Sequence, residues 1–379
     1  MHPMVKPALR RAWRSLRRVQ FGVTPAHAVV LDPVDQETGT LLGLLDGTRG
    51  TELLRAEAGR LGLSQGRLEG LLGRLRSAGL LVDASAGRPG RTGPAGGPED
   101  ASLDPLRADL ASLSVVHPEP DRALRTLTAR RAARVQVRGA GRVGATVAAL
   151  LTAAGVGGVE VVDSGRVEPW ETAPGGLPAE AVGERRATAA RRLVGRWRRS
   201  RCPSGPGEGS GGLGLSLVVV TPRDGLGAYV PDPLPAQRWV ATGTPHLYAG
   251  VVEATGVVGP LVLPGGTACA RCLQEERTDR EPDWPRLLVQ WRSGAPHPLP
   301  ACDLGLATAV AGLAAAHALA FLDGDLPAST GTRWEASLPL TEWRAERLRP
   351  HPACPCGAAR EGEGERASAA GGAQDTMAG

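Results

Sequence analysis

Residues 134–163 read RVQVRGAGRVGATVAALLTAAGVGGVEVVD, and this stretch decides the fold. Val135, Gln136 and Val137 form a short strand pattern that runs straight into Gly139-Ala140-Gly141-Arg142-Val143-Gly144. An apolar helix follows, with Val147, Leu150 and Leu151 on one face and a stop near Gly155. Residues 159–162 make the next strand, which ends at Asp163. That order is a βαβ unit. A G-x-G-x-x-G pattern alone says little. Here a strand precedes it, a helix follows it, and an acid closes the second strand. Gly139 permits the tight turn, Gly141 lets the backbone approach a pyrophosphate, and Gly144 allows close helix–strand packing. The helix N-terminus offers N–H groups and a positive dipole to a phosphate, and Asp163 is placed to accept from ribose hydroxyls. The competing reading is a turn that keeps its glycines for packing alone.

Working outward, residues 185–198 read as a further helix and residues 215–221 as a further strand. The alternation predicts an α/β fold: a Rossmann-like, doubly wound, mostly parallel sheet with helices on both faces. Beyond it lie two cysteine pairs, Cys269-Ala270-Arg271-Cys272 and Cys354-Pro355-Cys356 followed by Gly357. Four thiolates on two tight turns suit a tetrahedral structural zinc, so the sequence predicts a zinc clasp tying a distant C-terminal segment to the core. A redox C-x-x-C would leave the second pair unexplained. Cys202 and Cys302 have no evident partner. Six cysteines in 379 residues do not make a disulfide scaffold, and metal binding fits them better.

Toward the N-terminus, residues 19–82 read as one compact unit. Apolar alternation around Phe21, Val23, Val29 and Leu31 predicts short strands. Helical patterns follow at residues 40–45, ending at Asp46-Gly47, and at 52–61. A third starts after Ser64, with Leu68, Leu71, Leu72 and Leu75 at i, i+3, i+4 and i+7. Residues 80–82 begin a strand. Helix, turn, helix, strand is the order of a winged helix. Residues 83–104 predict a disordered linker, as do residues 358–379 a disordered tail and residues 200–212 a glycine-rich loop.

The formal charge is +5, with basic clusters at Lys6, Arg10, Arg11, Arg14, Arg17 and Arg18 and at residues 191–201. Both read first as solvated surface, and second as contacts for nucleic acid or an acidic partner. No secretory signal follows the N-terminal arm. Residues 304–322 approach membrane-spanning length, but their Ala and Gly content and His317 suit a helix buried in protein. The expectation is therefore a cytoplasmic protein without a membrane. Two smaller segments stand out. Residues 277–285 mix charges around Trp284 and read as a surface loop, or as a loop for a substrate or partner. His246 reads as a capped residue at a strand start, not as a base.

The stretches at 135–168, 182–193 (VGERRATAARRL), 217–224 (LVVVTPRD), 258–272, 301–322 and 351–357 (HPACPCG) together resemble the ThiF/MoeB family, relatives of the ubiquitin-activating enzymes. The resemblance covers roughly residues 130–357, within a domain expected to span 120–357. It implies MgATP-dependent adenylation of the C-terminal carboxylate of a small protein or peptide, with Gly139, Gly141, Gly144 and Asp163 holding ATP. Arg186 falls at the family's lysine and Asp224 at its metal-binding acid, so these two would be catalytic. Departures accompany these matches. Gly165 replaces a second acid, Glu171 an asparagine and Pro174 a phosphate-clamping arginine. Those changes remove charge stabilisation and add repulsion toward phosphate, so a non-catalytic partner of a separate modifying enzyme stands beside the adenylating reading. The N-terminal module resembles leader-peptide-recognition elements that hold an extended peptide by strand addition. Peptide binding is favoured over DNA, because residues 64–78 offer only Arg67, Arg74 and Arg76. The resemblance also makes a homodimer compatible with the chain.

Overall fold

The computed structural model describes residues 1–85, 104–119, 121–198, 214–293, 299–339 and 342–359. The predicted glycine-rich loop and nearly all of the linker and tail, with Cys202, lie outside them. The chain divides into two compact units, residues 1–129 and the remainder from Arg130.

In the first unit, β2 (Arg11–Ser15), β3 (Arg18–Phe21) and β4 (Val29–Leu31) form an antiparallel sheet in the order β2-β3-β4. Three helices cover it: α1 (Gln36–Leu44), α2 (Thr51–Arg60) and α3 (Gln65–Ser77). The helix α1 starts four residues before the sequence expectation, because Asp35 caps it by accepting from the Thr38 N–H at 2.9 Å. In α3, where Ser64 sits at the N-cap position without a side-chain hydrogen bond, the four predicted leucines are buried and join Val19, Phe21 and Leu54 in one core. The strand β1 (Pro3–Val5) pairs antiparallel with β5 (Leu81–Asp83).

The basic arm is not a solvated tail. Residues 11–15 form a fully exposed edge strand, and Lys6 is 1 % exposed, donating from Nζ to the His117 carbonyl at 3.0 Å. Burial lowers its pKa. Basic character read locally missed this, since the partner of the buried ammonium group is a backbone carbonyl 111 residues away. Leu106, just before α4 (Arg107–Val116), joins Leu113 of α4 and Leu127 of α5 (Arg122–Ala132) in a small separate cluster.

The second unit is built on a seven-stranded sheet in the order β12-β11-β10-β9-β8-β6-β7. The strands β6 (Arg134–Arg138), β7 (Gly158–Val162), β8 (Leu217–Val220) and β9 (His246–Val252) run parallel. Then β10 (Thr255–Val262), β11 (Thr332–Ser337) and β12 (Arg344–Arg347) extend the sheet antiparallel. The β9–β10 hairpin turns at Glu253 and Ala254, both with positive φ. Alternation sends Val135, Val137, Leu217, Val219, Leu247 and Ala249 to one face. There they meet α6 (Arg142–Ala153), α7 (Arg186–Trp197) and α12 (Leu304–Leu322).

By length and composition α12 would span a membrane, yet Leu306, Val310, Ala311, Ala314 and Ala318 are buried against the sheet and α6. Asp303 caps it by accepting from the Leu306 N–H. The opposite face carries α8 (Leu226–Tyr229), α9 (Pro233–Ala241) and α10 (Ala270–Arg280), around Tyr248, Val262 and the cysteine pairs. The helix α11 (Trp284–Ser293) follows α10 after only three residues. The expected loop at 277–285 is therefore mostly helix, and Trp284 is buried.

Candidate functional site: a crevice and a thiol cluster

The crevice lies where β6 ends and α6 begins. Gly139 has φ +111°, and a Cβ there would meet the Thr221 carbonyl oxygen at 1.9 Å. At Gly144 a Cβ would meet the Gly139 carbonyl oxygen at 2.0 Å. These two glycines are demanded by packing alone. Gly141 is different: its nearest neighbour would be Cγ of Arg223 at 3.7 Å, an ordinary contact. Gly141, the buried N-cap of α6, is therefore a glycine that packing does not by itself demand.

The charged residues around this turn are bonded to one another. Asp163 accepts from the Ala140 N–H at Oδ2 (2.6 Å) and from Arg186 Nε at Oδ1 (2.9 Å). Arg186 is 4 % exposed and also donates to the Ser164 and Arg166 carbonyls. Its Nη1 faces both carboxylate oxygens of Glu171, at 3.1 and 3.3 Å. Glu171, itself 4 % exposed, accepts in addition from Arg223 Nε and from the Glu168 N–H. Burial disfavours the Arg186 charge, and the two carboxylates more than restore it, so its pKa rises. Two arginines and two carboxylates sum to zero, and little charge is left to answer a phosphate.

Sequence reasoning placed Glu171 and Arg186 here but missed that they meet, and missed Arg223. The available signal was an acid introduced beside a buried cation. Gly165, at φ +84°, completes the set: a Cβ there would come within 2.5 Å of Arg186 Nη2. The longer guanidinium thus occupies space beside the position where a second acid was expected. Asp224 is exposed in the loop after β8, next to Arg223.

The predicted thiols do converge. Cys269 and Cys272 stand at the start of α10, and Cys354 and Cys356 approach from beyond β12. All four Sγ atoms lie within 4.8 Å of one another. The separations are 3.8 Å for Cys269–Cys272, 3.7 Å for Cys269–Cys354 and 3.5 Å for Cys272–Cys356. A tetrahedron with metal–sulfur bonds of about 2.3 Å has edges of about 3.8 Å, so the donor set fits a metal ion. The thiols share protons meanwhile. The contact with Cys272 lowers the Cys269 pKa, the same contact and burial raise that of Cys272, and burial raises that of Cys354. Cys302 is half-buried, apart from this cluster, and its carbonyl accepts from Arg142.

His246 opens β9 and is fully buried, not held in a loop. Its Nδ1 faces the Thr244 carbonyl at 3.1 Å, which assigns the proton to Nδ1, and Nε2 has no partner among the described residues. Burial lowers its pKa to about 4.

Known proteins align with this arrangement. The ThiF family model matches residues 120–199 and 231–356, more than half of the chain. The chain belongs to the ThiF family. The unmatched stretch between those segments contains Arg223 and Asp224. Among solved structures, E. coli MccB with succinimide is similar with a TM-score of 0.67 and 14% identity, over 94% of this chain and 99% of that one. E. coli MccB with ATP gives 0.66 and 15% over 94% and 99%. PaaA gives 0.62 and 14% over 90% and 99%. No curated protein sequence matches the chain. The fold is thus that of the ThiF/MoeB-like adenylyltransferases, with an α/β sheet and a cysteine cluster suited to a metal.

Proposed function

We propose that this ThiF-family protein binds and presents a ribosomally made peptide for modification, and that its crevice does not run adenylation. The observation that carries this reading is Glu171, which bridges Arg186 and Arg223 with both of its oxygens. An adenylating site needs uncompensated cations aimed at phosphate. Here the cations are answered from within, and the acid meant for ribose has both oxygens engaged. Support for a peptide partner comes from similar solved structures, in which MccB is bound to MccA. Just before residues 19–82, β2 lies at a sheet edge and pairs only with β3 among the described strands. An extended peptide adds to such an edge. The ion in the thiol cluster is zinc on this reading, held by Cys269, Cys272, Cys354 and Cys356 as a structural clasp.

A second reading is favoured by one observation: the only neighbour a Cβ at Gly141 would meet is Arg223, at ordinary contact distance, and the Arg223 side chain is 42% exposed. On that reading the 139–144 turn holds the phosphates of MgATP, Asp163 the ribose, Arg186 the developing charge and Asp224 the magnesium. The peptide carboxylate attacks the α-phosphorus and pyrophosphate leaves.

ATP–pyrophosphate exchange and MgATP calorimetry on the metal-loaded protein separate the two, with each short peptide encoded beside its gene as substrate. Peptide binding without exchange and without nucleotide binding is expected. Peptide-dependent exchange would establish the adenylating enzyme instead.

A further inference from the structure

Every residue of β2 is exposed, and its register with β3 decides which backbone groups are free. The Gly22 N–H donates to the Arg10 carbonyl at 2.8 Å, and two residues on Ala12 stands opposite Gln20. In an antiparallel pair such bonded positions alternate with unbonded ones. The N–H and C=O groups of Arg11 and Trp13 therefore point away from β3, toward the open edge.

The side chains sort by the same alternation. Arg11 and Trp13 stand opposite Phe21 and Val19, both fully buried, so they lie on the helix side of the sheet. The Trp13 ring covers Gly39 of α1, where a Cβ would meet its Cη2 at 3.0 Å, and the residue is still 48 % exposed. Arg14 lies on the other side, where its Nε donates to Gln20 Oε1 at 2.7 Å. Residues 10–18 carry five arginines and no acid. Arg18 pairs with Asp32 at 2.6 Å. Arg10, Arg11, Arg14 and Arg17 are exposed and meet no carboxylate among the described residues.

We propose that the peptide added to β2 is acidic at every second residue, with its acids beside Arg10 and Arg14 and an aromatic or aliphatic side chain on the exposed part of Trp13. This rests on the peptide-presenting reading and narrows its substrate class. An open edge is a template for any strand. A row of like charges repels a second copy of β2 and draws in a strand of opposite charge. Backbone chemistry favours a peptide over nucleic acid. The free groups of Arg11 and Trp13 call for donors and acceptors at strand spacing, and a phosphodiester backbone carries acceptors only.

The test is calorimetry on the full, metal-loaded chain with N-acetyl-Glu-Thr-Glu-Phe-Glu-Thr-Glu-amide and its counterpart with every Glu replaced by Gln. The acidic peptide is expected to bind about tenfold more tightly, the sum of a few opposite-charge pairs across strands. Arg14→Gln, at an exposed position, should reduce that ratio about threefold and leave the Gln peptide unaffected. Methylating alternate backbone nitrogens of the acidic peptide keeps its charge and removes strand donors. One of the two alternating patterns should abolish binding and the other should keep it. Equal binding of the Glu and Gln peptides, or an unchanged ratio in Arg14→Gln, overturns the acidic preference and leaves the presenting reading standing. Binding that survives both methylation patterns overturns strand addition, because charge alone then holds the peptide as it would a nucleic acid. Binding of neither peptide overturns the proposal too: the arginines then only guard the edge, and the peptides encoded beside the gene decide the presenting reading separately.

Discussion

The thiol cluster and the crevice are both made of groups that bind ions, and they differ in what those groups face. Around the clasp, four like donors point at one another across 3.5–3.8 Å with no cation among them in their own chain. Around the crevice, each of Asp163, Glu171, Arg186 and Arg223 faces an opposite charge. Like groups forced together create a demand that only an outside ion meets. Opposite groups brought together remove such a demand. Retained ligand residues are therefore weak evidence for a ligand until their mutual pairing is known.

Breaking the clasp should have the largest effect. Cys354→Ser, or chelation of the native protein, is expected to release the metal and cost on the order of 5 kcal/mol or more. Elemental analysis and urea unfolding measure this, and full metal content with unchanged unfolding would erase the contrast. Next comes Glu171→Gln. It leaves the buried Arg186 with one carboxylate instead of two, at a cost of about 4 kcal/mol by analogy with broken buried pairs. It also frees Arg223 from its carboxylate while Asp163 still holds Arg186, so pyrophosphate binding should appear in calorimetry where the parent shows none. An unchanged stability would mean the network is not what closes the crevice.

His246 packs edge-on against Tyr248, which belongs to the cluster beneath the clasp. Its folded pKa of about 4 lies below the 6.5 of the unfolded chain. The unfolded state therefore takes up the proton first as pH falls. The stability this histidine supports is complete above about pH 6.5 and is lost on the way down to about 4, by about 3 kcal/mol. Denaturation of the parent and of His246→Leu across that range should show a shallower slope in the variant, and parallel slopes would contradict the assignment. Arg223→Ala should be the mildest change, under about 1 kcal/mol, because its side chain is half exposed. A larger loss would make Arg223 an equal member of the network.

Much of this was legible before any coordinates. The strand, glycine turn, helix and closing Asp163 gave the parallel half of the sheet, and the spacing of Leu68, Leu71, Leu72 and Leu75 gave α3. The four cysteines gave the clasp, because metal-ligand spacing is local in each pair. The antiparallel half was not read, since its hairpin turns at Glu253-Ala254, positive-φ residues that carry none of the Gly or Asn signal of such turns. Nor was the Glu171–Arg223 contact, which joins loops 52 residues apart. A pairing between irregular segments has no periodicity to betray it.

The contact between Gly165 and Arg186 makes the present state hard to leave by single steps. Placing an acid at 165 alone puts a side chain on a left-handed backbone and against a guanidinium pinned by Asp163, Ser164, Arg166 and Glu171. Shortening Arg186 to Lys alone strips Glu171 and two carbonyls of their shared donor. The two positions are therefore coupled: an acid at 165 is expected to fit only together with a shorter cation at 186.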